Sequence, residues 1–402
     1  MNVLSLFNGM SFGKMALESL DIKITNYYSS EIDKYANQAT QALFPDTIQL
    51  GDVTLWREWD IDWASIDLVT GGFPCQAWSM AGKQLGDKDE RGMLFWTMLD
   101  IIKHVKYLNP KADFMIENVR MKREFEEYIT THTENALGNV YKILINSALV
   151  SAQNRNRYYW TSFKVEQPDD KGILLKDIIE YDTGEKFKLT ETCVNRLSKY
   201  NNADDMLNLR DKSLCLVAVY HKLGRDNTYI ECLSEKEMAY MMRSESTKEY
   251  RPRILRAKSI DEKSNTITQS IHKGVPHGVI NLNNNNRVKG ISENNRGYRP
   301  HKNDISKSGI SELGRILKNE ANKTDTVTTS HMPKLAINAD IKNLQYRKLT
   351  PRECFRLQTV PEHHIDTLLN AGISNTQLYK MCGNGWTHDV IVHIFKDLTR
   401  GE

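Results

Sequence analysis

Short apolar runs alternate with longer helical patterns through the first 160 residues. Val3-Leu4-Ser5-Leu6-Phe7 reads as a buried strand. Asn8 to Gly13 then forms a glycine-punctuated turn into a helix carried by Met15, Leu17 and Leu20. The pattern predicts further strands over 25–30, from 47 to 53, from Leu68 to the Gly71-Gly72 pair, over 114–116, over 141–145 and over the aromatic run Tyr158-Tyr159-Trp160. Met93 to Tyr107 has the spacing of an amphipathic helix, closed by Pro110. Strands that alternate with helices predict an α/β fold, an open, mainly parallel sheet of the Rossmann-like kind with helices on both faces.

The rhythm breaks at about residue 164. Runs such as Asn283 to Asn286, scattered charges and Gly-Pro turns replace it, so 164–340 reads as an inserted smaller domain, mainly β or irregular. The globular pattern returns near Tyr346. Leu349-Thr350-Pro351-Arg352-Glu353 is a helix start with Thr as cap and Pro at the first position. A short helix over 377–382, a turn from Gly383 to Thr387 and a final amphipathic helix through Val390, Ile391, Ile394 and Phe395 complete residues 341–402.

A length of 402 residues accommodates two domains, and 40% hydrophobic with 26% charged residues describes an ordinary globular protein. No stretch has the apolar length of a membrane span, and the first strand follows Met1 without a basic leader, so a cytoplasmic protein is expected. The net charge of +3 decides nothing about partners, but its distribution does. Between Arg251 and Lys302, Arg and Lys far outnumber the acids, in the company of many Asn; these residue types read phosphates and base edges. Lys263-Ser264-Asn265-Thr266-Ile267-Thr268-Gln269-Ser270 is echoed by Lys323-Thr324-Asp325-Thr326-Val327-Thr328-Thr329-Ser330, consistent with two related hairpins. The cysteines at 75, 193, 215, 232, 354 and 382 contain no CxxC pair, so neither a metal site nor a disulfide framework is expected.

Cys75 is the candidate nucleophile. Pro74 fixes its own φ and restricts Phe73, so the chain leaves the strand in one direction and meets a thiol at the strand's carboxyl end, with polar Gln76 and Ser79 beside it. A free thiol is only about a tenth ionised near pH 7.5, so the site needs help. Three further strand ends offer Glu31, Asp52 and Glu117 at the same rim, where helix caps and solvated loops are the plainer readings. Arg155 and Arg157 alternate onto one face, where two guanidiniums call for something anionic or polar between them. The polar stretch Met80 to Gly92 has few apolar anchors and suggests a lid over the thiol.

With these residues assembled, the chain resembles the DNA (cytosine-C5) methyltransferases. Phe7 and Gly9 match that family's opening cofactor loop, and Glu31 and Asp52 match its ribose and adenine acids. Gly72-Phe73-Pro74-Cys75-Gln76, Glu117-Asn118-Val119, Gln153-x-Arg155-x-Arg157, the Leu349 to Gln358 helix and Gly383-Asn384 follow in the family's order. Ser11 departs from the second glycine usual in bacterial members. Leu4 to Gly9 and Trp386-Thr387 look closer to the vertebrate de novo branch, the long middle segment to bacterial or phage enzymes.

The resemblance implies an enzyme that transfers a methyl group from S-adenosylmethionine to C5 of a cytosine flipped out of a specific duplex sequence. Cys75 would attack C6, Glu117 in its protonated form would serve N3, and Arg155 and Arg157 would hold the thiolate and the base's O2. The Phe73 carbonyl would accept from the exocyclic amine, with Gln76 and Ser79 beside the substrate. Phe7, Gly9, Glu31, Asp52, Pro74, Leu94 and Asn384 would line the cofactor pocket. Residues 1–163 would then be the catalytic and cofactor-binding domain, 164–340 the target-recognition domain, and 341–402 helices returning to the catalytic domain. Implied partners are double-stranded DNA and, in a restriction–modification setting, a cognate restriction endonuclease, for a monomeric, nucleoid-associated enzyme without metal. Two other readings use the same residues: an RNA cytosine methyltransferase of the same superfamily, and a non-catalytic DNA-binding regulator on the same scaffold.

Overall fold

The computed structural model describes residues 1–74, 90–180, 183–197, 212–222, 227–232 and 346–398, with short strands at 290–292, 315–317 and 334–335. The chain forms two compact units. One comprises Met1–Glu180, Asp211–Asn227 and Leu349–Glu402; the other comprises Tyr181–Arg210 and Thr228–Lys348.

The first unit is built on a sheet of β1 (Asn2–Leu6), β2 (Asn26–Ser30), β3 (Ile48–Gln49), β4 (Leu68–Gly71), β5 (Asp113–Val119), β6 (Tyr141–Asn146) and β7 (Asn156–Thr161), in the order β3-β2-β1-β4-β5-β7-β6. Strands β3 to β5 of that order run parallel, and β7 is antiparallel to both β5 and β6. Register explains the core. Leu4, Val69 and Phe114 are partners across three strands, as are Leu6, Gly71, Ile116 and Trp160 across four. One face of the sheet therefore presents them together to Phe95, Met98 and Ile102 of α3 (Glu90–Leu108) and to Ile129 of α4 (Arg123–Leu137). Each such side chain contributes about 1.5–3 kcal/mol when buried. The opposite face carries Thr70, above which lies Gly13 of α1 (Phe12–Glu18). Helices thus cover both faces, as expected for a Rossmann-like fold.

Several elements differ from expectation. The third strand is only Ile48–Gln49. Helix α3 starts at Glu90, so 90–92 are helical, and its buried positions are not confined to one stripe because Phe95, Met98, Leu99, Ile101, Ile102 and Val105 are all enclosed. The remainder of the anticipated lid, 80–89, lies outside the described residues. Helices α2 (Lys34–Leu43), α4 and Glu362–Asn370 add to the elements expected from the sequence. Thr350 and Glu353 cap their helix reciprocally: Glu353 N–H donates to Thr350 Oγ1 at 3.1 Å, and Thr350 N–H donates to Glu353 Oε2 at 2.7 Å.

The second unit contains the helix Glu191–Leu197, an antiparallel pair of β8 (Tyr229–Glu231) with β12 (Tyr346–Lys348), and an antiparallel sheet in which β9 (Gly290–Ser292) pairs with β10 (Arg315–Leu317) and β11 (Lys334–Leu335). Both Thr-rich repeats lie outside the described residues. Among the described residues, no helix is long and apolar enough to cross a membrane.

Candidate active site

The strand order sets the candidate residues in a row. Asp52 follows β3, Glu31 follows β2, Phe7 and Gly9 follow β1, Phe73 and Pro74 follow β4, and Glu117 lies near the end of β5. Connections diverge between β1 and β4, which makes that rim the place where open α/β sheets take ligands.

On the β1–β2 side the backbone is strained in a defined way. Phe7, Gly9 and Ser11 all have positive φ, at 53°, 59° and 66°. Ser11 therefore occupies a backbone conformation suited to glycine, the residue usual there in bacterial members. Its hydroxyl is held by Asn8 Nδ2 at 2.8 Å and Thr40 Oγ1 at 3.0 Å. Glu31 fixes the other wall: Oε2 accepts the Gly9 N–H, and Oε1 accepts those of Ile32 and Asp33, all at 2.8 Å. The turn and the acid are thus one rigid piece, with Ile32 76% exposed beside it. An apolar surface next to a carboxylate and close backbone suits the adenosine portion of a nucleotide-like cofactor. Asp52 caps the 3-10 turn Val53–Glu58, its Oδ1 accepting from Thr54 N at 2.8 Å and Thr54 Oγ1 at 2.9 Å, which leaves Oδ2 outside these bonds.

On the β4–β5 side, Glu117 is almost buried. Arg157 Nε lies 3.0 Å from Oε1, and Trp386 Nε1 donates to Oε2 at 3.0 Å. Asn118 Nδ2 donates to the Phe73 carbonyl at 3.1 Å, while its Oδ1 accepts the Val119 N–H at 2.8 Å. The carbonyl expected to meet a substrate amine is therefore already oriented from β5. Pro74 is half-buried and Leu94 packs against the core beside Phe95. Asn384 is exposed at the end of the helix Asn375–Asn384. Cys75, Gln76 and Ser79 lie outside the described residues.

Arg155 has a different environment from Arg157. It is 2% exposed; Nη1 donates to the Leu216 carbonyl at 3.1 Å, and Nη2 to the Gly383 and Gly385 carbonyls at 3.1 and 2.7 Å. Burial, with the nearby Arg157, lowers its pKa from the ordinary arginine value. Cys215 Sγ lies 3.5 Å from Arg155 Nη1. Burial pushes this thiol up, but both guanidiniums outweigh it and bring it below its ordinary value.

The residues that carry these partners were missed in the sequence. Segment 212–222 falls inside the polar insert, yet it belongs to the first unit and is bonded along Gln153-Asn154-Arg155. Ser213 N–H donates to Ala152 O at 2.7 Å, Asn154 N–H to Ser213 O at 3.0 Å, and Leu216 N–H to Gln153 Oε1 at 2.8 Å. Gly383 was assigned to a turn but ends a helix; a Cβ there would lie 2.3 Å from backbone atoms of Val217 and Ala218.

The sequence from 1 to 400 matches the family of C-5 cytosine-specific DNA methylases. The chain belongs to that family. Its members are DNA cytosine methyltransferases, and the fold and family imply S-adenosylmethionine as cofactor. Among relatives, the orphan methyltransferase M.SPRI of Bacillus phage SPR is 27% identical over 99% of this chain and 97% of its own length. The type II methyltransferase M1.ScrFI of Lactococcus lactis subsp. cremoris is 31% identical over 47% of this chain and 51% of its own. Among solved structures, a mutant of DNMT2 from Spodoptera frugiperda shares the fold, with a TM-score of 0.55 and 17% identity over 99% of both chains.

Proposed function

We propose that this methyltransferase acts on a cytosine flipped out of duplex DNA, through a covalent bond between Cys75 and C6. Cytosine C5 is a poor nucleophile. Addition of the thiolate to C6 places electron density at C5, which then takes a methyl group, and loss of the C5 proton with release of the thiol restores the ring. Bound S-adenosylmethionine supplies the electrophilic methyl. Phe7, Gly9, Glu31, Asp52, Pro74, Leu94 and Asn384 hold it, Glu31 at the ribose and Asp52 at the adenine amine.

Glu117 donates to N3 as negative charge develops there. Arg157 keeps its carboxyl in place, favours the thiolate and binds O2, while Arg155, buried on three backbone carbonyls, supports the segment that carries it. Phe73, Gln76 and Ser79 contact the base. Residues 164–340, apart from 164–180 and 212–222, which belong to the first unit, carry target recognition, in keeping with a basic, Asn-rich composition of the kind that reads phosphates and base edges. The phage and bacterial relatives support a modification enzyme of that kind, solitary or paired with an endonuclease. The observation that carries the reading is the row of strand ends, with Glu31 tied to Gly9 at 2.8 Å at one place and Glu117 beside Arg157 at 3.0 Å at another.

Duplexes carrying 5-fluorocytosine in place of cytosine test it, because fluorine cannot leave C5 as the proton does. The wild-type protein should form a DNA adduct stable to denaturation, and Cys75→Ser should not. Adduct formation by the serine variant removes Cys75 as nucleophile. Methylation of transfer RNA in preference to duplex DNA points to the RNA reading. Exchange of 164–340 for the same interval of a relative should carry the target sequence with it; specificity that stays with the remainder overturns that assignment.

A further inference from the structure

Trp386 lies in a slot made by two glycines. A Cβ on Gly72 would lie 3.1 Å from its Nε1, and one on Gly13 would lie 3.7 Å from its Cζ3. The indole is 9% exposed and donates its one N–H to Glu117 Oε2 at 3.0 Å, while Arg157 Nε stands 3.0 Å from Oε1. A carboxylate held on each oxygen by a different donor has its plane fixed, whereas one donor alone leaves rotation about the last side-chain bond. We propose that Trp386 is a positioning residue for methyl transfer, its N–H fixing the Glu117 carboxyl group so that it faces the base. The inference rests on the role assigned to Glu117 above.

The neighbours of the slot give the indole a second connection. Gly13 is in the first turn of helix α1, just after the Phe7–Ser11 turn, and Gly72 precedes Phe73 at the end of β4. One ring therefore touches the wall of the cofactor side and the carboxyl group of the base side. A bulkier residue at 72 would collide with Glu117 Oε2 at 2.7 Å, so Gly72 is what lets carboxylate and indole meet. Phenylalanine at 386 would fill the slot and lack the donor.

In assays of the full chain, Trp386→Phe should lower kcat about tenfold, the equivalent of about 1.4 kcal/mol. KM for S-adenosylmethionine and for duplex DNA should stay within about twofold, because the lost contact acts on the reacting geometry. Unchanged kcat, or a rise in KM alone, overturns the proposal and leaves the ring as packing. Glu117→Gln serves as the control: if that variant keeps wild-type kcat, the role of Glu117 fails. The pair itself is read independently from the indole N–H resonances of the seven tryptophans. Glu117→Gln, which exchanges the carboxyl acceptor for an amide, should move one of them. If none moves, the hydrogen bond is not made in solution and the proposal falls, even where Trp386→Phe does not fold.

Discussion

Arg155 Nη2 lies 2.7 Å from the carbonyl oxygen of Gly385, which joins the entrance of β7 to the loop before the last helix. The same guanidinium reaches Gly383 and Leu216, so three chain segments distant in sequence meet on one fork. The bonds to Leu216 and Gly383 are buried and that to Gly385 partly so, and loss of the fork removes a donor from each.

Arg155→Ala should therefore lower the unfolding free energy by on the order of 3 kcal/mol or more, read by chemical denaturation. Arg155→Lys should recover only part, since an ammonium keeps the charge and loses the planar fork. Arg157→Lys should behave in the opposite sense, with a large loss of turnover and a small loss of stability. Equal effects at the two positions would refute this division of labour.

Asn118 links β5 to the end of β4 through its bond to the Phe73 carbonyl at 3.1 Å. Asn118→Ala removes that donor and the acceptor of the Val119 N–H, at a cost of about 1–3 kcal/mol for buried groups left unpaired. Turnover should fall further than stability, because Phe73 and Pro74 direct the chain into Cys75. Wild-type kcat and denaturation midpoint together would show that the bond orients nothing.

Gly72→Ala would bring a Cβ to 2.7 Å from Glu117 Oε2. A carboxyl group can swing away, so the fold should survive with a melting temperature close to wild type. The swing breaks contact with Arg157 or Trp386, and kcat should drop while S-adenosylmethionine affinity holds. Full activity in this variant would mean that the carboxyl group need not be held where the structure has it.

The sheet and its rim were legible because local signals decide them. Apolar runs mark the strands, Gly71-Gly72-Phe73-Pro74 marks an exit, and acids stand at or just beyond strand ends at 31, 52 and 117. The Thr350 cap with Pro351 at the first helical position was legible for the same reason. What could not be read is non-local. Nothing around Leu216 announces that its carbonyl receives Arg155, and nothing around Trp386 announces Glu117, 269 residues away. The helix that ends at Asn384 was under-read because glycine at 383 signals a stop, whereas its purpose is the close approach of Val217 and Ala218. The paired roles of Arg155 and Arg157 were merged by alternation, which gives a shared face and cannot distinguish a buried clamp from a residue at the site.

Asp52 is already a cap, with Oδ1 occupied by Thr54. Asp52→Asn keeps an oxygen for that cap and replaces the other acceptor by a donor. S-adenosylmethionine binding measured by calorimetry should weaken by about 1–3 kcal/mol if Oδ2 receives the adenine amine. Stability should change little. Unchanged affinity would make Asp52 a cap and nothing more.

The last expectation concerns acid stability. His364 packs edge-on against Phe44, with ring centroids 5.4 Å apart, and its Nε2 is 3.6 Å from Glu18 Oε2. Glu18 alone would favour the protonated ring, but burial, with His363 and His388 nearby, outweighs it and lowers the pKa from 6.5 to about 4. Glu18 is half-exposed, which weakens its pull. Between those values the unfolded chain binds a proton that the folded chain refuses. This site therefore costs nothing above pH 6.5, and destabilises progressively as pH falls from about 6.5 towards 4. His364→Phe keeps a ring against Phe44 and removes the titration. Its melting temperature should fall less than that of the wild type over that pH interval, and the two should converge above it. Parallel melting curves across the whole interval would show that His364 takes up its proton as readily folded as unfolded.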